Sequence, residues 1–239
     1  MVDKELSEMV SSGAETLGID LPPAAAKAFE DYHYIMAARG QAVNLTAISD
    51  INDIASLHFL DSIALLNAIP FKDKRVIDIG SGAGFPGIPL KIAEPSIDLT
   101  LIDALKKRVT FLSQLCATLE LDATCIHIRA EDAAHDLCMR EQYDIVLSRA
   151  VAKLNILCEL CLPFARVGGV FLAMKGVDSS IELDESKNAI ETLGAEFLKH
   201  FDYTLPDTDI THRVILIRKT SETPANYPRR FARIKKTPL

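Results

Sequence analysis

One stretch, Val76-Ile77-Asp78-Ile79-Gly80-Ser81-Gly82-Ala83-Gly84-Phe85-Pro86-Gly87, constrains this 239-residue chain more than any other. It joins a short apolar strand to a glycine-dense turn. Glycine lets the backbone reverse sharply and approach a ligand where a Cβ would collide, and the N–H groups opening the next helix then point at that ligand. Pro86 suits the first turn of such a helix, where its missing N–H costs nothing. Gly82, Gly84 and Gly87 satisfy G-x-G-x-x-G, a pattern found in dinucleotide sites and also in strand-turn-helix units that hold no ligand. Asp78 is the discriminating residue. A carboxylate inside an apolar strand is costly to bury unless donors meet it, and the N–H groups of the turn are the nearest supply.

The surrounding pattern tells what kind of sheet receives this strand. From Arg75 onward, short apolar runs alternate with helical periodicity, and strands are expected at Val76–Ile79, Leu99–Ile102, Cys125–Ile128, Ile145–Leu147, Val170–Met174 and Val214–Ile217. That alternation predicts an α/β, Rossmann-like fold with a mostly parallel sheet and helices on both faces. One helix should end near Glu94-Pro95; the next carries Leu105, Val109, Leu112, Cys116 and Leu119 as a single buried stripe. Before residue 70, the spacing of Leu57, Leu60, Ile63 and Ala64 and of Ala25 and Phe29 is helical. The expected organisation is a helical cap over residues 1–70, a sheet domain over 71–220 and a basic tail over 221–239.

Ligands of doubly wound sheets sit beyond the carboxyl ends of the strands, so chemistry is sought there. Asp103 closes the second strand, 25 residues after Asp78. That is near the spacing at which an acid meets ribose hydroxyls, and a helix N-cap is its alternative role. In Arg129-Ala130-Glu131-Asp132, an N–H and a carboxylate would bracket an adenine edge, or the acids would simply favour the next helix's N-terminus. Ser148-Arg149-Ala150 and Lys175-Gly176 end the fourth and fifth strands. Their cations suit phosphates or a base edge, or else a salt bridge closing the cleft.

Net charge is −7, yet residues 213–239 alone carry +7, with eight Lys and Arg against Glu222. A basic end on an acidic body suits localised phosphate contact, although a solvated tail has the same composition. Lys106-Lys107-Arg108 at a helix N-terminus oppose the helix dipole by a few tenths of a kcal/mol each, which suggests use on RNA phosphates or a solvated run. The candidate RNA contacts are therefore Lys106, Lys107, Arg108, Lys175, Arg229, Arg230, Arg233, Lys235 and Lys236. Removing residues 229–239 should then weaken RNA binding and flatten its salt dependence while sparing cofactor affinity. Five cysteines at irregular spacing oppose a disulfide framework, and the lone pair Cys158 and Cys161 reads as packed thiols, with no metal expected. No apolar run is long enough to span a bilayer and the first residues lack a signal peptide's form, so a cytoplasmic protein is expected.

Several motifs are similar to those of one family. Asn44-Leu45-Thr46, His58-Phe59-Leu60-Asp61-Ser62, Gly84-Phe85-Pro86-Gly87-Ile88-Pro89, Lys107-Arg108-Val109, Phe111-Leu112, Ser148-Arg149-Ala150, Lys175-Gly176 and Tyr227-Pro228-Arg229-Arg230 resemble the RsmG family of bacterial small-subunit ribosomal RNA methyltransferases. The resemblance spans nearly the whole chain, with Phe231-Ala232-Arg233 standing where the family usually carries glycine. It implies a seven-stranded S-adenosylmethionine-dependent methyltransferase fold and a monomer acting on 16S ribosomal RNA or the small subunit, at guanine N7 in the decoding-region loop. It further implies cofactor contacts at Gly80, Phe85, Asp103, Ala130, Glu131 and Arg149, to which Asp78 and Gly82 of the glycine turn and Ala104 and Leu105 after the second-strand acid are added as candidates.

That chemistry agrees with the motifs that are missing. Guanine N7 has an in-plane lone pair and no proton, so no general base is expected and the protein's task is positioning. There is no Asn-Pro-Pro-Tyr/Phe motif of the kind used on exocyclic amines and no Pro-Cys nucleophile for pyrimidine C5. A nicotinamide oxidoreductase would need a Tyr-x-x-x-Lys pair or a His–carboxylate group near the cleft, and the sequence shows neither. A purely RNA-binding protein would need the basic end alone.

Overall fold

The computed structural model describes residues 5–43, 50–149 and 152–239. Asn44-Leu45-Thr46 and Ala150 lie outside the described residues. Seven strands, β1 (Arg75–Ile79), β2 (Asp98–Asp103), β3 (Ala123–His127), β4 (Tyr143–Arg149), β5 (Ala165–Gly176), β6 (Ala195–Thr204) and β7 (Thr211–Lys219), form one sheet in the order β3-β2-β1-β4-β5-β7-β6. β1 to β5 run parallel, and β7 runs antiparallel between β5 and β6.

Successive strand residues point to opposite faces, and both faces are dry, so the central strands are mostly apolar, with Asp78, Thr100 and Ser148 as buried polar exceptions. Val76, Leu99, Leu101 and Ile145 belong to a core shared with the cap, whereas Ile77, Ile102 and Val146 pack on the other side against the helix Leu154–Cys161. The cap consists of helices Leu6–Thr16 and Ala25–Val43 and a helical stretch over 51–67 whose middle, Ile54–Leu60, is π-helical. Its Phe29, Tyr32, Phe59 and Ile63 are fully buried in the same core as the sheet. Cap and sheet domain therefore share one hydrophobic interior.

The expected strands all form, though β3 begins two residues early and β5 extends well before Val170. β6 has no counterpart among them. It is an edge strand that buries only Ala195 and Tyr203 and has a register shift between Phe197 and Lys199, so its alternation is broken. In the helix Lys106–Thr118, Val109, Leu112 and Cys116 are buried as the stripe requires. Leu105 differs: it is the N-cap residue and is 53% exposed.

The basic end is folded onto the body. Arg140 donates to the carbonyls of Thr223 and Tyr227, His135 pairs with the carbonyl of Pro228, and a short helix, Phe231–Lys236, buries Ile234. Four of its eight cations meet acids: Arg213 with Asp202, Arg218 with Glu196, Lys219 with Glu141 and Arg229 with Glu159. The last is a fork of two bonds at 2.8 and 2.6 Å onto a fully buried carboxylate. Removing either partner of such a pair costs about 3–5 kcal/mol, so Arg229 has a structural task.

Candidate active site

The turn after β1 is held from three directions. Gly80 and Ser81 N–H groups donate to the carbonyl of Ile102 at the end of β2. Gly82 N–H donates to Asp103 Oδ2 at 3.1 Å, and the same carboxylate accepts Leu105 N–H through Oδ1 at 2.8 Å. Asp103 thus ties the two strand-end loops together and does not cap the helix, whose N-cap is Leu105. Beneath the turn, Asp78 accepts one bond from Gly87 N–H at 3.0 Å, while its Oδ1 has no partner. Burial raises its pKa to about 7 against that single donor.

Tyr32 from the cap donates to the carbonyl of Ala83 at 2.7 Å. Gly84 permits this approach: at φ +108° its missing Cβ would stand 2.7 Å from the Tyr32 oxygen. Phe85 is stacked between Tyr32, at 5.2 Å, and His58, at 4.6 Å. The guanidinium of Arg149 lies 4.9 Å from the Phe85 centroid.

Three concavities open along these strand ends. The first, about 480 Å³, is lined by the glycine turn, Asp103, Ala104, Leu105, Arg108 and Arg149. A Cβ at Gly82, at φ +59°, would meet the Gly80 carbonyl oxygen at 3.8 Å and no closer atom, and Arg108 carries a buried Nε with no partner. The second is an apolar slot of about 150 Å³ that continues past Ala104 to Ile128, Ala130, Glu131 and Phe231. The third, about 440 Å³, lies across Arg149 and His58 from the first and reaches Met174, Lys175, Tyr203 and His212.

Asp61 organises that third cavity. Its Oδ1 accepts from Tyr203 Oη and His212 Nδ1, both at 2.6 Å, and its Oδ2 accepts from Arg149 at 3.1 Å. The bond to Asp61 raises the pKa of His212. Burial and the neighbouring Arg149 charge instead depress His58 to about 4, so its imidazole is neutral.

A family model described as rRNA small subunit methyltransferase G matches residues 25–207. The ribosomal RNA small subunit methyltransferase G of Alkaliphilus oremlandii is 42% identical over 98% of this chain and 99% of its own length. That of Clostridium kluyveri is 42% identical over 97% and 98%. The chain belongs to the small-subunit ribosomal RNA methyltransferase G family. Among solved structures, a putative transferase from Pyrococcus horikoshii shares the fold with a TM-score of 0.52 at 14% identity, covering 66% of this chain and 62% of that one.

In this methyltransferase G chain, the structure brings Gly80, Gly82, Phe85, Asp103, Ala104, Leu105 and Arg149 to one cavity, and Ala130 and Glu131 to the adjoining slot. Asp78 lies under the turn and lines neither. The two cleft cations take the salt-bridge role: Arg149 with Asp61, and Lys175 with Glu182 at 2.7 Å and the carbonyl of Ala152. Arg108 turns inward to Asp103, and Arg229 to Glu159. Lys106, Lys107, Arg230, Arg233, Lys235 and Lys236 stand exposed. Glu131 accepts from Arg129 at 2.5 Å. Asp61, Tyr203 and His212 had no assigned role in the sequence, and only Asp61 sat within a noted motif. Cys158 and Cys161 are buried thiols whose pKa values burial raises. No described helix is long and apolar enough to cross a membrane, and the described residues contain no metal-binding cluster.

Proposed function

We propose that this family member transfers a methyl group from S-adenosylmethionine to N7 of a guanine in the decoding-region loop of 16S ribosomal RNA. The observation that carries the reading is the meeting of two cavities at Arg149 and His58, one built from the glycine turn and one roofed by the cap and β7. The residues present fit the cofactor. Gly82 leaves the space that a side chain would fill, Arg108 Nε is an unpartnered buried donor, and Asp103 is a buried acceptor at the end of β2. Gly80, Gly82, Asp103, Leu105 and Arg108 would hold the sugar and amino-acid portions, and Ala130 and Glu131 the adenine. When bound, the cofactor supplies an electrophilic methyl group.

The remaining work is positioning. Asp61 has three donors, and His58 at pKa about 4 is a poor proton acceptor at neutral pH. A nucleophile without a proton suits such a site, and N7 is one. Arg149, fixed by Asp61, Leu57 and Phe85, forms the wall between cofactor and base instead of reaching outward to a phosphate. In-line alignment in a closed site supplies about 7–11 kcal/mol. Unstacking the guanine costs a few kcal/mol, offset by phosphate contacts from Lys106, Lys107, Arg230, Arg233, Lys235 and Lys236.

The test is transfer of a labelled methyl group to small subunits lacking the modification, followed by nucleoside analysis. Label in 7-methylguanosine at the decoding-region loop supports the reading. Label on another atom or another helix overturns it.

A further inference from the structure

The slot that would take the adenine is not completed by the sheet domain. Its lining comes from the ends of β1 and β2, the segment after β3 and Leu160 of the helix Leu154–Cys161, together with Phe231, from the helix Phe231–Lys236 at the end of the chain. The guanidinium of Arg129 lies 5.1 Å from the Phe231 centroid while its Nε bonds Glu131, so one side chain links the ring and the carboxylate that both line the slot. The segment leading to Phe231 is anchored. Pro228 meets His135, Arg229 is forked onto Glu159, and Ile234 is buried one turn later. Phe231 is therefore delivered to the slot from a fixed point, although it lies beyond residues 25–207, which the family model matches.

We propose that the C-terminal strap is part of the cofactor site, with Phe231 covering the adenine face and the bound cofactor in turn holding the terminal basic helix in place. This rests on the placement of the cofactor proposed above. A ring wall of this kind adds stacking area and excludes water from the purine. The exposed cations Arg230, Arg233, Lys235 and Lys236 belong to the strap, and Lys106 and Lys107 follow Ala104 and Leu105 at the same cavity edge. Cofactor binding would thus settle the two basic groups on either side of the slot before RNA arrives. The coupling is reciprocal, so RNA held by the strap would tighten cofactor binding by the same factor.

The experiment compares wild type, Phe231→Ala, Phe231→Tyr and Gly82→Val, using calorimetry with S-adenosylhomocysteine and with adenosine, and trypsin cleavage after Arg233, Lys235 and Lys236. Phe231→Ala should weaken both ligands by on the order of tenfold, about 1.4 kcal/mol, with Phe231→Tyr close to wild type. S-Adenosylhomocysteine should slow terminal cleavage of wild type and not of Phe231→Ala. Affinities of Phe231→Ala within twofold of wild type, or terminal cleavage indifferent to ligand in wild type, would overturn the strap's role. Gly82→Val separates the two levels: if it binds ligand normally, the cofactor placement itself is wrong, whereas loss in Gly82→Val with none in Phe231→Ala removes the strap alone.

Discussion

The two cavities that meet at Arg149 are built in opposite ways. The side proposed for the cofactor is mostly backbone: a turn after β1 and a loop after β2, joined by Asp103, with His58 and Arg149 at its edge. The other side is a side-chain network around one carboxylate, assembled from the stretch 51–67, β4, β6 and β7. Backbone sites depend on where a Cβ is absent, and network sites on every member being paired. Substitutions should therefore fail differently on the two sides.

The largest effect is expected on the backbone side. Gly82→Val forces a branched side chain into φ +59° and fills the space proposed for the cofactor. Cofactor affinity should fall more than 100-fold while stability falls by about 1–2 kcal/mol, as calorimetry and urea unfolding would read. A variant whose affinity and stability fell equally would erase the distinction.

Next is Asp61→Asn. It leaves Arg149 without its carboxylate and His212 without the bond that raises its pKa. Methyl transfer should drop on the order of 100-fold with cofactor affinity within a fewfold, and the His212 titration followed by NMR should move down toward 6.5. In wild type the raised His212 pKa contributes stability that is present below pH 6.5 and lost as pH rises through the raised value. Asp61→Asn should abolish that loss.

How much of each side was legible follows from the same contrast. The glycines and Asp103 announce themselves in contiguous sequence because turn geometry restricts residue type locally, whereas Asp78 lies beneath the turn and lines neither cavity, and Leu105, read as part of a buried stripe, is exposed. Tyr203 and His212 come together only because β6 pairs with β7, and β6 was illegible as an edge strand with little buried surface. The cations misled for a related reason. Charge is visible in sequence, but whether Arg229 meets a phosphate or Glu159 depends on a buried acid 70 residues away.

A smaller effect is expected from the cations that remain exposed. Replacing both Lys235 and Lys236 by Glu should weaken RNA binding at low salt and reduce the slope of log affinity against log salt by about 1–2, with cofactor affinity little changed. An unchanged slope would remove these two from the RNA face.

The smallest concerns Asp78. Its native pKa of about 7 stands above the unfolded value, so the native state keeps a proton the unfolded state has released. Its contribution to stability is full below about pH 4 and lost as pH rises through about 7, a change of at most a few kcal/mol. Asp78→Asn should flatten that part of the curve in urea unfolding; a difference curve independent of pH would show that the carboxylate is already ionised.

The π-helical turn Ile54–Leu60 bears on how this family member tolerates change in length. A π turn holds one residue more than an α turn, so deleting one within 54–60 would let the stretch close to ordinary α-helix with its two ends still aligned. What would change is the direction in which the bulge turns His58 toward Phe85. The segment that looks least regular in the cap is thus the one where the chain could lose a residue and keep its fold while losing the arrangement around Arg149.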